Sequence, residues 1–128
     1  MTVRAYTDLI AWQKGIVLAK EIHIRTRRFP KEELYGMTSQ IRRAASSVPN
    51  NIAEGQGKMS TGEFLQHLGH ARGSLYEVQT QIYLSREMEM LSPDEAEYFL
   101  GLSDEVGRLL NGLINSLRAK SKSATSSH

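Results

Sequence analysis

The sequence predicts an all-α fold, an antiparallel up-down four-helix bundle with a proline-kinked second helix. Three observations carry that expectation. Apolar residues recur at spacings of three and four through four separate stretches. Ala, Leu, Glu, Lys, Arg, Gln and Met are plentiful, and only three prolines occur in 128 residues. Two Ser-x-x-Glu signatures, Ser60 to Glu63 and Ser92 to Glu95, have the form of capping boxes at helix starts. No stretch reads as a strand, and the length suits one domain. The bundle is expected over residues 1–118, with 119–128 as a flexible polar tail.

The first helix is expected over 8–28. Asp8 would cap it, and Leu9, Trp12, Ile16, Ala19 and His23 would form its seam, widened by Ile10, Val17 and Ile24. Phe29-Pro30 ends it, because a residue before proline is pushed out of the helical region. The second helix is expected over 33–56. Its seam is Leu34, Met37, Ile41, Ala44 or Ala45, Val48 and Ile52, and the four-residue step from Val48 to Ile52 keeps phase across Pro49. An interior proline costs about 3 kcal/mol in a straight helix, so a kinked, continuous helix ending at Gly55–Gly57 is the reading. Asn51 and Glu54 stand where they could satisfy backbone groups freed by the proline. The third helix, 60–90, has the seam Phe64, Leu68, Ala71, Leu75, Val78 and Ile82. The fourth, 92–118, carries Pro93 at its first turn, where the missing N–H does no harm. Its apolar face runs Ala96, Phe99, Leu100, Val106, Leu110, Leu113, Ile114 and Leu117.

These helices offer more apolar surface than one core needs. Leu65, Gly69, Tyr76 and Tyr83 form a second stripe on the third helix, Leu102 and Leu109 extend the fourth, and Gly69 and Gly73 are costly inside a helix unless another chain comes close. They make a candidate self-association surface, and tyrosine suits one by burying a ring while keeping a polar tip.

Charge is uneven. The net charge is +2. Residues 1–31 are net +5, 32–84 net −1, 85–105 net −6 and 106–128 net +4. In an up-down bundle, Arg25, Arg27, Arg28 and Lys31 share an end with Glu87, Glu89, Asp94, Glu95 and Glu97, so those charges cancel. The opposite end gathers Arg4, Lys58, Arg118, Lys120 and Lys122, a candidate site for RNA or DNA held electrostatically. Arg42 and Arg43 are further candidates for phosphate. An ion pair with Glu54, Glu77 or a neighbouring subunit is the favoured reading for them.

The chain has no cysteine, which excludes disulfides and thiolate chemistry. No signal-peptide core and no membrane-length apolar run is present, so a cytoplasmic protein is expected. Glu63, His67 and His70 lie at helical spacing, but at the rim of their helix and without the paired Glu-x-x-His pattern of a di-metal bundle. His23 is expected as a hydrogen-bonded core histidine. No catalytic fingerprint occurs, so neither enzyme, metal nor cofactor is expected.

Ser39-Gln40-Ile41-Arg42-Arg43-Ala44-Ala45, then Val48-Pro49 with Asn51-Ile52-Ala53-Glu54-Gly55, then Gly73-Ser74-Leu75-x-Glu77, closely resemble the bacterial four-helix bundle family known as 23S ribosomal RNA intervening-sequence proteins. The stretches Asp8–Lys14 and Phe29–Gly36 match too, so the resemblance covers roughly residues 7–118. Gln56, where the family often has an aromatic, and Met59, where a second basic residue would follow Lys58, are departures. The resemblance implies a left-handed up-down bundle and homo-oligomers, ring-shaped pentamers among them. It is distantly similar to the accessory protein of diversity-generating retroelements, a basic pentamer that binds nucleic acid. The expected function is therefore a non-enzymatic homo-oligomer that binds nucleic acid as an accessory protein. The alternative is an oligomeric scaffold that binds only itself or another protein.

Overall fold

A computed structural model describes residues 5–126, with side chains through residue 122. Four helices account for most of it: α1 Ile10–Thr26, α2 Met37–Gln56, α3 Thr61–Glu87 and α4 Pro93–Ser126. Short 3-10 turns, Tyr6–Asp8 and Lys31–Glu33, precede α1 and α2. No strand occurs among the described residues. Each helix packs against two neighbours, in the order α1, α2, α3, α4 and back to α1. Three cross-helix contacts join a late residue of one helix to an early residue of its neighbour, Arg42 with Thr26, Gln81 with Gln40 and Arg25 with Glu95, and Arg72 with Asn111 joins the middles of α3 and α4. All four helices feed one core, with Leu18, Ile41, Val48, Ile52, Leu68, Leu75, Val78, Ile82, Val106 and Leu110 out of reach of solvent.

The seam of α2 lies where its spacing puts it. Met37, Ile41, Ala44, Ala45, Val48 and Ile52 are all buried, and the helix runs through Pro49 without a break. Pro49 is itself buried, facing Gly15 of α1. Two residues on, the Asn51 amide donates to the Ser47 carbonyl at 2.9 Å and to its hydroxyl at 3.0 Å, not to the Ala45 carbonyl that Pro49 leaves without its helical N–H. Glu54 takes no part in this; its carboxylate lies 3.8 Å from His67 Nδ1. Leu34 is exposed, because α2 starts only at Met37.

In α1 the expected face is rotated by about one position. Ala11, Gly15, Leu18 and Ile22 are buried, whereas Ile10, Ile16, Val17 and Ile24 are exposed. Bulky apolar residues occur all round this helix, so hydrophobicity alone does not choose a side. The small residues do, since they admit α2 at the Gly15–Pro49 contact. His23 is accordingly at the surface rather than in the core. Its pKa is lowered, by partial desolvation first and then by Arg42 and Arg27. Leu9, not Asp8, occupies the capping position of α1, because Asp8 is taken up in the preceding 3-10 turn.

Both Ser-x-x-Glu signatures do cap. Ser60 Oγ accepts from Glu63 N at 3.2 Å. Ser92 Oγ accepts from Glu95 N at 3.1 Å, and Glu95 Oε1 accepts in return from Ser92 N at 2.9 Å. At its far end α3 closes with Glu89 at φ 60°, in the left-handed region, and the Ser85 carbonyl accepts from the N–H groups of Met90 and Leu91. α4 continues eight residues past the expected end, to Ser126. The sequence after Leu117 holds no glycine or proline, and its cations suit the carbonyl end of a helix.

Candidate nucleic-acid interface

Lys58 lies exposed in the turn between α2 and α3. Arg118, Lys120 and Lys122 are exposed on the last described turns of α4. The register set by Arg72 and Asn111 brings those turns level with the start of α3, and so toward the Lys58 turn. Arg4 lies outside the described residues. At the opposite end of the molecule Arg25 and Arg28 meet a carboxylate, whereas Arg27 and Lys31 are exposed with no ion pair among the described residues. Arg25 donates to Glu95 through Nε at 2.5 Å and Nη2 at 2.9 Å, and Arg28 lies 3.6 Å from the same carboxylate. These bonds hold the Glu95 carboxyl down to about 2, with the Arg25 hydrogen bond the largest cause.

Arg42 and Arg43 have separate roles. Arg42 Nε donates to Thr26 Oγ1 at 2.8 Å and Nη2 to the His23 carbonyl at 3.3 Å, so it ties α2 to the last turn of α1. The expected carboxylate partner is absent among the described residues, because this side chain is turned toward the carbonyl end of α1. Arg43 has no ion pair among the described residues either. It lines an open groove of about 690 Å³ between α2 and α3, with Gln40, Ser47, Ser74, Glu77 and Gln81. Ser74 donates to Ser47 at 2.8 Å and Gln81 to Gln40 at 3.0 Å across it. The residues quoted for the family resemblance thus meet along one helix pair.

The expected association surface divides. Leu65, Leu102 and Leu109 are half-buried and pack against the core. Tyr76 and Tyr83 remain exposed, at 57% and 49%. Gly69 and Gly73 are also exposed, and a Cβ added at either would meet nothing within 4 Å. A stripe expected to widen the inward face is instead open: Ile10, Val17 and Ile24 recur every seven residues on the outside of α1. Tyr98 of α4 is exposed on the neighbouring helix, with its hydroxyl donating to Glu21 of α1.

Two cations not singled out in the sequence join the picture. Arg72 of α3 and Arg108 of α4 line a shared groove of about 260 Å³. They stand 36 positions apart in the chain, and only the packing of α3 on α4 brings them together. The one signal in the sequence is the helical spacing of Arg108, Asn111, Asn115, Arg118 and Lys122.

His67 Nδ1 lies 3.3 Å from Asn51 Oδ1. No group of three or more His, Asp or Glu side chains gathers to hold a metal among the described residues. No helix among them is long and apolar enough to cross a membrane.

The family model described as 23S rRNA-intervening sequence protein matches residues 7–112. No curated protein matches the chain. Among solved structures, a crystal structure of a protein of unknown function from the S23 ribosomal protein family of Bacteroides thetaiotaomicron is similar, with a TM-score of 0.74 at 22% identity. The match covers 82% of this chain and 98% of that one, and the likeness is one of fold.

Proposed function

The chain belongs to the 23S rRNA-intervening sequence protein family, and from that premise we propose a non-enzymatic, homo-oligomeric bundle that binds nucleic acid through its basic charge. One observation carries the nucleic-acid reading. From Val106 to the end of the chain the sequence holds four cations and no carboxylate side chain, and Arg118, Lys120 and Lys122 are exposed on α4 beyond its last core contacts. Charge of one sign on an exposed helix end attracts phosphate irrespective of base sequence. The test is a titration of the purified protein with RNA and with DNA at two salt concentrations. Binding that weakens steeply with salt is expected, and no binding to either at low salt would remove the reading.

The homo-oligomeric part is supported by the outer stripe of α1. Ile10 is 58% exposed and Ile24 49%, and a heptad row of bulky aliphatic side chains in water favours association. An oligomeric scaffold that binds only protein is the alternative reading; it too uses this stripe and predicts a flat nucleic-acid titration.

A further inference from the structure

We propose that the groove between α3 and α4 seats the phosphodiester backbone of a nucleic acid, with Arg72 and Arg108 as its paired cations and Arg118 and Lys122 continuing the track. This rests on the nucleic-acid reading above and places the ligand along the side of the bundle rather than at its end.

Arg72 and Arg108 line one concavity and neither makes an ion pair among the described residues. Arg72 is held in place by donating to Asn111 Oδ1 at 3.2 Å, which leaves its other N–H groups to donate outward. The planar guanidinium fork matches two phosphate oxygens at once, and it is weakly hydrated enough to leave water for them. The groove's one carboxylate, Asp104, is engaged by the Gln79 amide at 3.3 Å.

Past the groove Arg118 and Lys122 continue one side of α4, while Lys120 lies on another. Arg108, Asn111, Asn115, Arg118 and Lys122 follow each other at steps of three and four, and all are exposed. That row extends about 21 Å at 1.5 Å per residue. Along one strand of a duplex, which carries a phosphate about every 3.4 Å, such a row faces several phosphates.

The experiment measures binding of a labelled single-stranded RNA and a duplex DNA to the full chain across a salt series. Arg72→Gln with Arg108→Gln is expected to weaken binding roughly tenfold or more and to lower the salt slope by about two. Lys58→Gln with Lys120→Gln, off the track, is expected to change the slope far less. Asp104→Asn is expected to tighten binding, a gain that a folding defect cannot produce. Inorganic phosphate at matched ionic strength is expected to leave the titration unchanged.

Unchanged affinity and slope in the arginine pair, with loss in the lysine pair, would overturn the groove assignment and leave the end of the bundle as the site. Displacement by inorganic phosphate would make the groove a free-anion site and overturn the backbone assignment. A wild-type chain that binds neither probe would instead remove the nucleic-acid reading itself.

Discussion

Gly15 and Gly55 sit in adjacent helices with opposite surroundings. A Cβ built on Gly15 would lie 3.5 Å from the Pro49 ring, an ordinary van der Waals distance. One built on Gly55 would lie 2.7 Å from His67 Cβ and 2.9 Å from Phe64 Cδ1. Alanine in a helix interior is favoured over glycine by about 1 kcal/mol. Gly15→Ala should therefore raise stability by up to about that amount, while Gly55→Ala should lower it by about 1–3 kcal/mol through overpacking. Urea denaturation midpoints of the two variants check the contrast. A loss at Gly15 as large as that at Gly55 would mean that Pro49 needs the gap, and that α1 and α2 approach more tightly than this contact indicates.

Among the helices, the start of α4 is where one carboxylate serves two elements. Glu95 closes the capping box with Ser92 and receives Arg25 from α1. Its pKa falls from 4.5 to about 2, so the folded state favours the charged form. The resulting stability is present above the unfolded pKa, and it is lost as the pH falls from about 4.5 toward 2. Glu95→Gln should cost about 1–2 kcal/mol at neutral pH, a figure discounted for partial solvent exposure. The gap between variant and wild type should close as the pH approaches 2, measured by urea midpoints across the acid range.

How far an element could be read from sequence follows from its composition. In α2, apolar and polar residues separate cleanly, so the seam through Pro49 was legible. In α1, Ile10, Ile16, Val17 and Ile24 compete with Leu18 and Ile22, and only the close approach of Pro49 to Gly15 selects the inward side. The two capping boxes were legible because the signal is local. Arg72 and Arg108 were not, because pairing them requires the register of α3 against α4, which no single helix encodes.

For the whole molecule, the proposed self-association is tested on the outer stripe of α1. Val17 is the middle residue of the α1 stripe and is exposed. Val17→Asp should lower the mass in solution, measured by light scattering, while leaving the helical circular dichroism intact. Leu102→Asp, by contrast, should reduce stability, because Leu102 packs on the core. A wild type that stays monomeric at high concentration would remove self-association altogether. In contrast to the stripe on α1, the face between α3 and α4 gathers arginines, amides and tyrosine, so apolar and ionic character fall on different sides of the bundle.

α4 has 34 residues and α1 has 17, and the longer rod has consequences of its own. Beyond Leu117, the last of its side chains against the core, it runs on level with the start of α3, with its described side chains exposed. Two turns of helix are marginal by themselves in water, so their order is borrowed from the turns below them. Laying a chain of negative charge along that stretch would relieve the crowding of like charges among Arg118, Lys120 and Lys122, and the grip on a ligand would firm the arm that holds it.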